Sequence, residues 1–300
     1  MPLSPSVPEL AALDLFVSVV ELGSLSRAAA AHRITQPSAS SRIRTVESQV
    51  GLSLLDRSPT GSRPTPEGEL VATWAADVLR SAGAFAAGVE ALKAERRGLL
   101  RLASSYTVAE YLLPVWLDGY HRDHPDVAVR LDVTNSDGVI ERLSAGTVDL
   151  GFVESPSAPT SMRSTEVARD DLVVVVSPAH RWATSEVVDL EEFANTPLVL
   201  RERGSGTRAA LEQALASLGH AAPTSELDLG SLSAVRIATI NGSGPTVISR
   251  LAVERELRDG SLRAVRVDGL DLGRTLRAIE PPDRTTSRSA RDLLAHITGR

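Results

Sequence analysis

The sequence predicts an α-helical segment with a winged helix-turn-helix, then one long helix, then an α/β body of about 200 residues in two lobes. Three observations carry this. Up to residue 64, apolar residues recur at helical spacing between Gly and Ser breaks. From Val71 to Leu92 they follow one heptad register. From residue 98 onward, short β-branched runs alternate with amphipathic helices.

Composition bounds the possibilities. The chain has 300 residues, 42% of them hydrophobic and 23% charged, as expected of globular domains and not of a disordered chain. Aromatic residues make up only 3%, so the cores must rest on Ala, Val, Leu and Ile. There is no cysteine, which excludes a disulfide scaffold, a thiolate metal site and a cysteine nucleophile. The first twenty residues hold no Lys or Arg, and no apolar run approaches the ~18 residues of a membrane span. A cytoplasmic protein with no membrane partner is expected. The net charge is −6 but unevenly spread. Between Ser24 and Pro64 six Arg face only Glu47 and Asp56, whereas residues 98–300 carry an excess of acid. A basic end on an acidic body points to a small nucleic-acid-binding segment and a different task for the rest.

The first helix shows Leu13, Phe16, Val17 and Val20 on one side and stops at Gly23, and Ser24 can cap the next. The second, from Leu25 to about His32, presents small residues at Ala28–Ala31 that admit another helix closely. A turn with Ile34 facing inward leads to Thr35 at an N-cap position and Pro37 in the first turn. The third helix turns Ala39, Ile43, Val46 and Val50 inward. Ser38, Ser41, Arg42 and Thr45 face outward, with Arg44 alongside. Two short helices, a tight turn and a free face of hydroxyls and arginines make a helix-turn-helix. Arg can donate two hydrogen bonds to guanine, and Ser or Thr can reach base edges or phosphates. A three-helix bundle with a merely solvated face is the alternative, disfavoured by the local positive charge and the early Pro. Leu52 to Arg57 and the loop to Arg63 read as a β-ribbon wing whose Arg57 and Arg63 meet phosphates or the minor groove.

Thr65 caps and Pro66 starts a long helix with Val71, Ala75, Val78, Ala82, Phe85, Val89 and Leu92 along one seam. About 30 residues make a rod of roughly 45 Å. A dimerising linker helix is the reading, and a helix packed only on its own domain the alternative. In the body, strands are expected at Leu99–Ala103, Val127–Val133, Val148–Val153, Leu172–Val176, Pro197–Leu200, Leu227, Thr246–Ile248 and Ala264–Val267. Ligands of such folds bind beyond strand carboxyl ends, near helix N-termini.

A resemblance adds to this. Leu15, Phe16, Val19 and Val20 with Gly23-Ser24-Leu25-Ser26-Arg27-Ala28-Ala29, Thr35-Gln36-Pro37-Ser38-Ala39-Ser40-Ser41-Arg42-Ile43, Leu54-Leu55-Asp56-Arg57 and Thr65-Pro66-Glu67-Gly68 are similar to the DNA-binding region of LysR-type transcriptional regulators. Glu110-Tyr111-Leu112-Leu113-Pro114, His124-Pro125-Asp126-Val127, Gly146-Thr147-Val148-Asp149-Leu150-Gly151, Glu202-Arg203-Gly204-Ser205-Gly206-Thr207-Arg208 and Gly260-Ser261-Leu262 resemble that family's effector domain. The Gly-Ser-Gly-Thr-Arg run resembles the branch linked to sulfur and carbon-fixation regulation. The resemblance implies a winged helix-turn-helix over 1–64, a linker and dimerisation helix over 65–97, and a periplasmic-binding-protein-like effector domain over 98–300. Lobe I would take about 98–167 and 271–300 and lobe II about 168–270, with crossings near Ser164–Asp170 and Val265–Leu272.

It further implies a recognition helix from Gln36 to about Val50. The DNA-facing set is then Arg27, Arg33, Thr35, Gln36, Pro37, Ser38, Ser41, Arg42, Arg44, Thr45, Arg57 and Arg63. Carried over by position, the effector cleft is lined by Ser104, Ser105, Thr107 and Asn135 from one lobe. Arg203, Gly204, Ser205, Gly206 and Thr207 come from the other, with Ser243, Pro245 and Thr246 at the far side. Hydroxyls and helix starts with Arg203 suit a small anion, the less favoured alternative being that any single one of these residues only caps a helix. The implied partners are promoter DNA carrying an inverted repeat, a small anionic effector, further copies of the chain as a dimer or dimer of dimers, and RNA polymerase. No cofactor is implied. Leu55, Ser105-Tyr106 and Asn241-Gly242-Ser243-Gly244-Pro245-Thr246 depart from the family pattern.

Rival functions leave little trace. No Gly-x-Ser-x-Gly elbow, phosphate loop or Gly-x-Gly-x-x-Gly turn is present, so an enzyme is not expected. His121, Asp123 and His124 could form a metal face, but no third histidine or cysteine lies nearby in sequence, and no metal is expected. A secreted solute-binding protein is excluded by the DNA-binding region. A DNA-binding architectural protein whose second domain only oligomerises would differ in showing no ligand response.

Overall fold

The computed structural model describes the chain apart from residues 1–3, 5, 59, 60, 97, 158, 161, 282–285 and 300, and apart from the side chains of 57, 58, 61, 91, 92 and 94–96. It divides into two compact units, 1–86 and 87–300.

In the first unit, helices α1 (Leu10–Leu22), α2 (Leu25–Ala31) and α3 (Gln36–Val50) precede an antiparallel hairpin of β1 (Leu55–Ser58) and β2 (Gly61–Pro64). The stops foreseen from glycine are used: Gly23 and Gly51 close α1 and α3 in left-handed conformation, with φ of 63° and 74°. Ser24 and Thr35 cap α2 and α3, accepting from the N–H groups of Arg27 and Ser38. Leu15, Phe16, Val19, Ala28, Ala29, Ala39, Ile43 and Val46 form the core, completed by Leu54 and Leu55 of the wing. Glu47 of α3 ties the wing to the recognition helix, since its Oε1 accepts from the N–H groups of Leu54 and Leu55 at 2.9 and 3.3 Å.

Helix α4 (Pro66–Arg96) is continuous and starts in this unit. Thr65 caps it through the Gly68 N–H and also donates to the Ser53 carbonyl. Gly68 must lack a side chain, because a Cβ there would meet the Leu54 carbonyl oxygen. The expected seam divides at this point. Val71 lies in the core of its own unit, and Ala75 is likewise buried. The large apolar side chains of α4 that stay exposed are Leu70, Trp74, Val78 and Phe85. Ala82 and Val89 are half-buried, and the side chain of Leu92 lies outside the described residues.

The second unit opens with β3 (Leu99–Ser104), α5 (Tyr106–Tyr111), α6 (Leu113–Asp123), β4 (Ala128–Val133), α7 (Ser136–Ser144), β5 (Leu150–Val153) and the long strand β6 (Arg163–Val176). Then come β7 (Val187–Val188), α8 (Leu190–Ala194), β8 (Leu198–Arg201), α9 (Gly206–Ser217), β9 (Ser225–Leu229), α10 (Leu232–Ile240), β10 (Thr246–Ser249), α11 (Arg250–Asp259), β11 (Arg263–Val267), β12 (Gly273–Glu280) and α12 (Arg288–Thr298). The main sheet runs β4-β3-β5-β12-β6-β11-β7, with β10 also on β6. β3 is parallel to β4 and β5, whereas β12 runs antiparallel to β5 and β6.

The two lobes follow from β6. Its residues 163–171 pair with β12 in lobe I, and from Leu172 onward it pairs with β10 and β11 in lobe II. The first crossing therefore lies on β6, as expected. The second crossing falls at the end of the expected Val265–Leu272 span: β11 pairs within lobe II, the Leu172 N–H donates to the Leu272 carbonyl, and β12 returns to lobe I from Gly273. Lobe I is built around Leu100, Leu102, Tyr120, Leu150, Phe152 and Leu276. Lobe II is built around Val174, Trp182, Phe193, Leu211, Val235 and Ile248 in two clusters. Tyr106 and Tyr111 of α5 pack on the second of these, so the lobes are closed on each other. Asp149 of the Gly-Thr-Val-Asp-Leu-Gly run holds Arg101 by a 2.7 Å ion pair and accepts from its N–H. That is a structural task. Among the described residues, no helix is long and apolar enough to cross a membrane.

Candidate functional site

Two sites were expected, one in each unit. In the first unit, Thr35, Gln36, Pro37, Ser41, Arg42, Arg44 and Thr45 are exposed on the first turns and outer face of α3, and Ser38 is half-buried. They share a face because α3 commits Ala39, Ile43 and Val46 to the core. Arg42 makes no hydrogen bond or ion pair among the described residues. Arg44 is held by Ser40 at 3.2 Å, and the Thr45 hydroxyl is spent on the Ser41 carbonyl. Arg27 and Arg63 are exposed, as is Arg33, which takes a left-handed φ of 55° in the turn before α3. The side chain of Arg57 lies outside the described residues.

In the second unit the cleft forms where strands end. Ser105 follows β3, Glu154 follows β5, and Arg201 ends β8. Carboxyl ends of strands are where open α/β sheets present ligand-binding groups. Arg274, on β12 opposite Asp170 of β6, reaches into the middle of this place. Its Nε and Nη2 donate to Asp170 Oδ2 at 2.9 and 2.6 Å. Nη2 also donates to Thr107 Oγ1 of lobe I at 3.2 Å, and Nη1 to Thr207 Oγ1 of lobe II at 3.0 Å. Asp170 Oδ1 accepts from the Ser249 hydroxyl at 2.8 Å. One buried guanidinium thus ties both crossing strands to the first turns of α5 and α9.

Around this bridge stand two more charged groups. Arg201 is 2% exposed, and its Nε and Nη2 donate to the Glu202 carboxylate at 2.8 and 2.9 Å. Its guanidinium lies over the ring of Tyr106, 4.7 Å from the centroid. Glu154 is 1% exposed, its N–H donating to the Ser136 hydroxyl. Its Oε2 stands 3.3 Å from Arg274 Nη2 without hydrogen-bond geometry, and its Oε1 accepts a long 3.5 Å contact from the Thr207 hydroxyl. Ser205, the N-cap of α9, makes no side-chain cap. Leaving a buried polar group unmatched costs about 1–3 kcal/mol, more where it is charged.

Further ties close the rim. Asn135 caps α7 through the Gly138 N–H, and its Nδ2 donates to Glu202 Oε1 and the Arg203 carbonyl. The Asp137 N–H donates to the Gly204 carbonyl. Gly204 has φ of 85°, where a Cβ would also lie 2.9 Å from Asp137 Oδ2. Gly206 touches lobe I more closely still, since a Cβ there would stand 2.6 Å from the Glu154 carbonyl carbon. Gly206→Ala is therefore expected to pry the lobes apart, lowering effector-domain stability by about 1–3 kcal/mol. Small-angle scattering and a calorimetric scan check this. An unchanged profile and midpoint would show that the lobes do not press there.

The structure thus brings together Ser105, Thr107, Asn135, Gly204, Ser205, Gly206 and Thr207. It does not bring in the others in the same way. Ser104 spends its hydroxyl on the Ser105 carbonyl. Arg203 is exposed at the rim, and the inward guanidinium is that of Arg201. Ser243 is exposed, while Pro245 and Thr246 join β10 to β8 through the N–H and carbonyl of Val199. Sequence reasoning missed Glu154, Asp170, Arg201 and Arg274. The strand-end rule alone selects Glu154 and Arg201. Two open grooves of about 560 and 700 Å³ run along the crossing strands, but neither is lined by Ser105, Glu154, Arg201 or Ser205. Elsewhere, His124 stacks on Tyr120 at 4.5 Å, and His180 caps a turn before Trp182. No group of three metal-ligating side chains occurs among the described residues.

Known proteins share this fold and domain order. Residues 10–69 match the model of the bacterial regulatory helix-turn-helix protein, lysR family, and residues 93–300 match that of the LysR substrate binding domain. The HTH-type transcriptional regulator Rv2282c of Mycobacterium tuberculosis is 43% identical, covering 100% of this chain and 99% of its own. YeiE of Escherichia coli is 32% identical over 94% of both chains. The RuBisCO operon transcriptional regulator of Allochromatium vinosum is 30% identical over 86% of this chain and 84% of its own, in keeping with the carbon-fixation branch. Among solved structures, the Synechocystis CcmR regulatory domain in complex with 2-PG covers 67% of this chain and 96% of its own, with a TM-score of 0.61 and 24% identity. Full-length CbnR complexed with its target DNA covers 97% and 99%, with a TM-score of 0.52 and 21% identity. The chain therefore belongs to the LysR family: it is a DNA-binding transcriptional regulator with an effector-binding domain, and not an enzyme.

Proposed function

We propose that this regulator changes its grip on promoter DNA when a small molecule carrying an anionic group enters between the lobes of its effector domain. The observation that supports this most is the bridge at Arg274, which touches Asp170 and Thr207 while also reaching Thr107 of the opposite lobe. A molecule that competes for these buried contacts alters how the lobes meet. It shifts the protein between arrangements only in so far as it binds one of them better.

DNA is read by the outer face of α3. Arg42, Ser38, Ser41 and Gln36 face base edges, and Arg27, Arg33, Arg44, Thr45, Arg57 and Arg63 serve the backbone or the minor groove. Pairing of chains through α4 places two such helices on an inverted repeat. The stripe that can pair is Leu70, Trp74, Val78 and Phe85, with Ala82 and Val89 beside it, because Val71 and Ala75 are already buried in their own unit. Effector domains associate further into a dimer of dimers, and RNA polymerase is the partner downstream.

The test is Thr107→Val. Removing its hydroxyl takes one acceptor from Arg274 at nearly constant volume. With sulfate, phosphate and simple carboxylates as probes, the variant's DNA-binding response to the active anion is expected to fall by about tenfold in potency, the loss of one charge-assisted hydrogen bond. An intact dose-response curve would remove the inter-lobe contact from the signalling path.

A further inference from the structure

The hydrogen bonds between the lobes leave four atoms over. Among the described residues, the buried side-chain atoms with no hydrogen-bond partner are Ser105 Oγ, Glu154 Oε2, Arg201 Nη1 and Ser205 Oγ. Buried polar groups are matched in nearly all native structures, so these four call for an explanation. Contacts of their chain neighbours set the four residues along one stretch of the lobe boundary. The Arg201 guanidinium covers Tyr106, the neighbour of Ser105. Gly206, the neighbour of Ser205, abuts the Glu154 backbone, and the Thr207 hydroxyl reaches Glu154 Oε1. Ser105 and Glu154 come from lobe I, and Arg201 and Ser205 from lobe II.

The four atoms differ in what they need. Arg201 Nη1 can only donate, and it carries positive charge. Its other two contacts already satisfy Glu202, so Nη1 points to a further acceptor. Glu154 Oε2 can only accept. The two serine hydroxyls can do either. A simple anion would satisfy Arg201 but would set its charge beside Glu154, in a cluster where Glu154, Asp170 and Glu202 already outnumber Arg201 and Arg274. A simple cation would satisfy Glu154 and leave Arg201 unmatched. Arg201 is ion-paired with Glu202 and Glu154 lies 3.3 Å from Arg274, but a neutral molecule would give neither Arg201 Nη1 nor Glu154 Oε2 the charge-assisted bond it lacks. A molecule with one charge of each sign satisfies both and adds no net charge.

We propose that the effector is a small zwitterion, of which an α-amino acid is the simplest kind. Its anionic end meets Arg201 Nη1, its ammonium end meets Glu154 Oε2, and the hydroxyls of Ser105 and Ser205 complete the shell. This deepens the reading of the inter-lobe cleft as the effector site and rests on it.

The test is calorimetric titration of the full-length protein with three series. The first holds the twenty α-amino acids, β-alanine and taurine. The second holds the deaminated acids acetate, propionate and succinate, with sulfate and phosphate. The third holds the amines ethylamine and putrescine. At least one zwitterion is expected to bind at least tenfold more tightly than its deaminated and decarboxylated counterparts. Glu154→Gln is expected to cost that zwitterion tenfold or more and to erase its advantage over the deaminated acid. Ser205→Ala, a milder change, is expected to cost it several-fold, with circular dichroism confirming that both variants fold. An anion of the second series that binds as tightly as any zwitterion, and no more weakly to Glu154→Gln, would overturn the proposal while leaving an anion-responsive cleft in place. Binding confined to the amines would overturn it equally. Silence in all three series would overturn both the proposal and the effector reading beneath it.

Discussion

Arg274→Met is expected to lower the stability of the effector domain by about 3–5 kcal/mol, because it strands two buried carboxylates. The guanidinium is almost wholly buried and pairs with Asp170 at 2.6 Å and Glu154 at 3.3 Å. Removing it leaves both charges without their counter-ion and takes the donor from Thr107 and Thr207. Adding Asp170→Asn to Arg274→Met should restore a large part of the loss, since the most closely paired charge then disappears with its partner. Calorimetry on the full chain, reading the effector-domain transition, measures both. A single variant that loses less than about 1 kcal/mol would place Arg274 among pairs that count for little, as exposed ones do.

Arg42→Ala is the second large effect, and it acts on DNA. Arg42 is exposed at the second turn of α3 and makes no hydrogen bond or ion pair among the described residues, so its five donors are available. A bidentate contact to guanine accounts for about 1–3 kcal/mol of discrimination, roughly tenfold to a hundredfold in affinity for the specific site. The variant should lose that much on the operator and much less on random DNA. Arg63→Ala in the wing should behave differently, weakening both about equally and reducing the salt slope by about one. Binding titrations on operator and scrambled DNA at several salt concentrations separate the two. An Arg42→Ala variant with unchanged sequence choice would show that the residue does not read bases.

The parts of the molecule that were legible in the sequence are those set by local rules. Gly23 and Gly51, Ser24 and Thr35, and Pro37 each mark a helix end through the conformation of one or two residues, and the N-terminal elements follow from them. The strands with continuous apolar runs, such as Leu172–Val176, were equally plain. β12 was not, because arginines at 274 and 277 interrupt its apolar alternation, and one of them is buried for a reason that lies 104 residues away at Asp170. The seam of α4 shows another limit. Spacing locates apolar stripes on that helix, but Val71 and Leu70 are adjacent in sequence, and only the packing of Leu54 and Leu55 decides which of them is already covered. In the cleft, the helix starts at Thr107 and Thr207 were visible as hydroxyls in turn contexts. Arg203, directly before the Gly-Ser-Gly run, enters the expected set through the family resemblance, by position. The fold instead ends β8 at Arg201 with its guanidinium buried, and leaves Arg203 exposed.

The central claim is that one chain reads DNA and a small molecule together. A gel-shift titration on the DNA immediately upstream of this gene, at two salt concentrations and with zwitterions and anions added in turn, tests it most directly. The expected result is tight binding that weakens as salt rises and whose affinity or mobility changes with a compound that also loses its effect in Thr107→Val. Specific binding that none of these compounds alters would contradict the claim and leave a DNA-binding protein whose second domain serves only to assemble it.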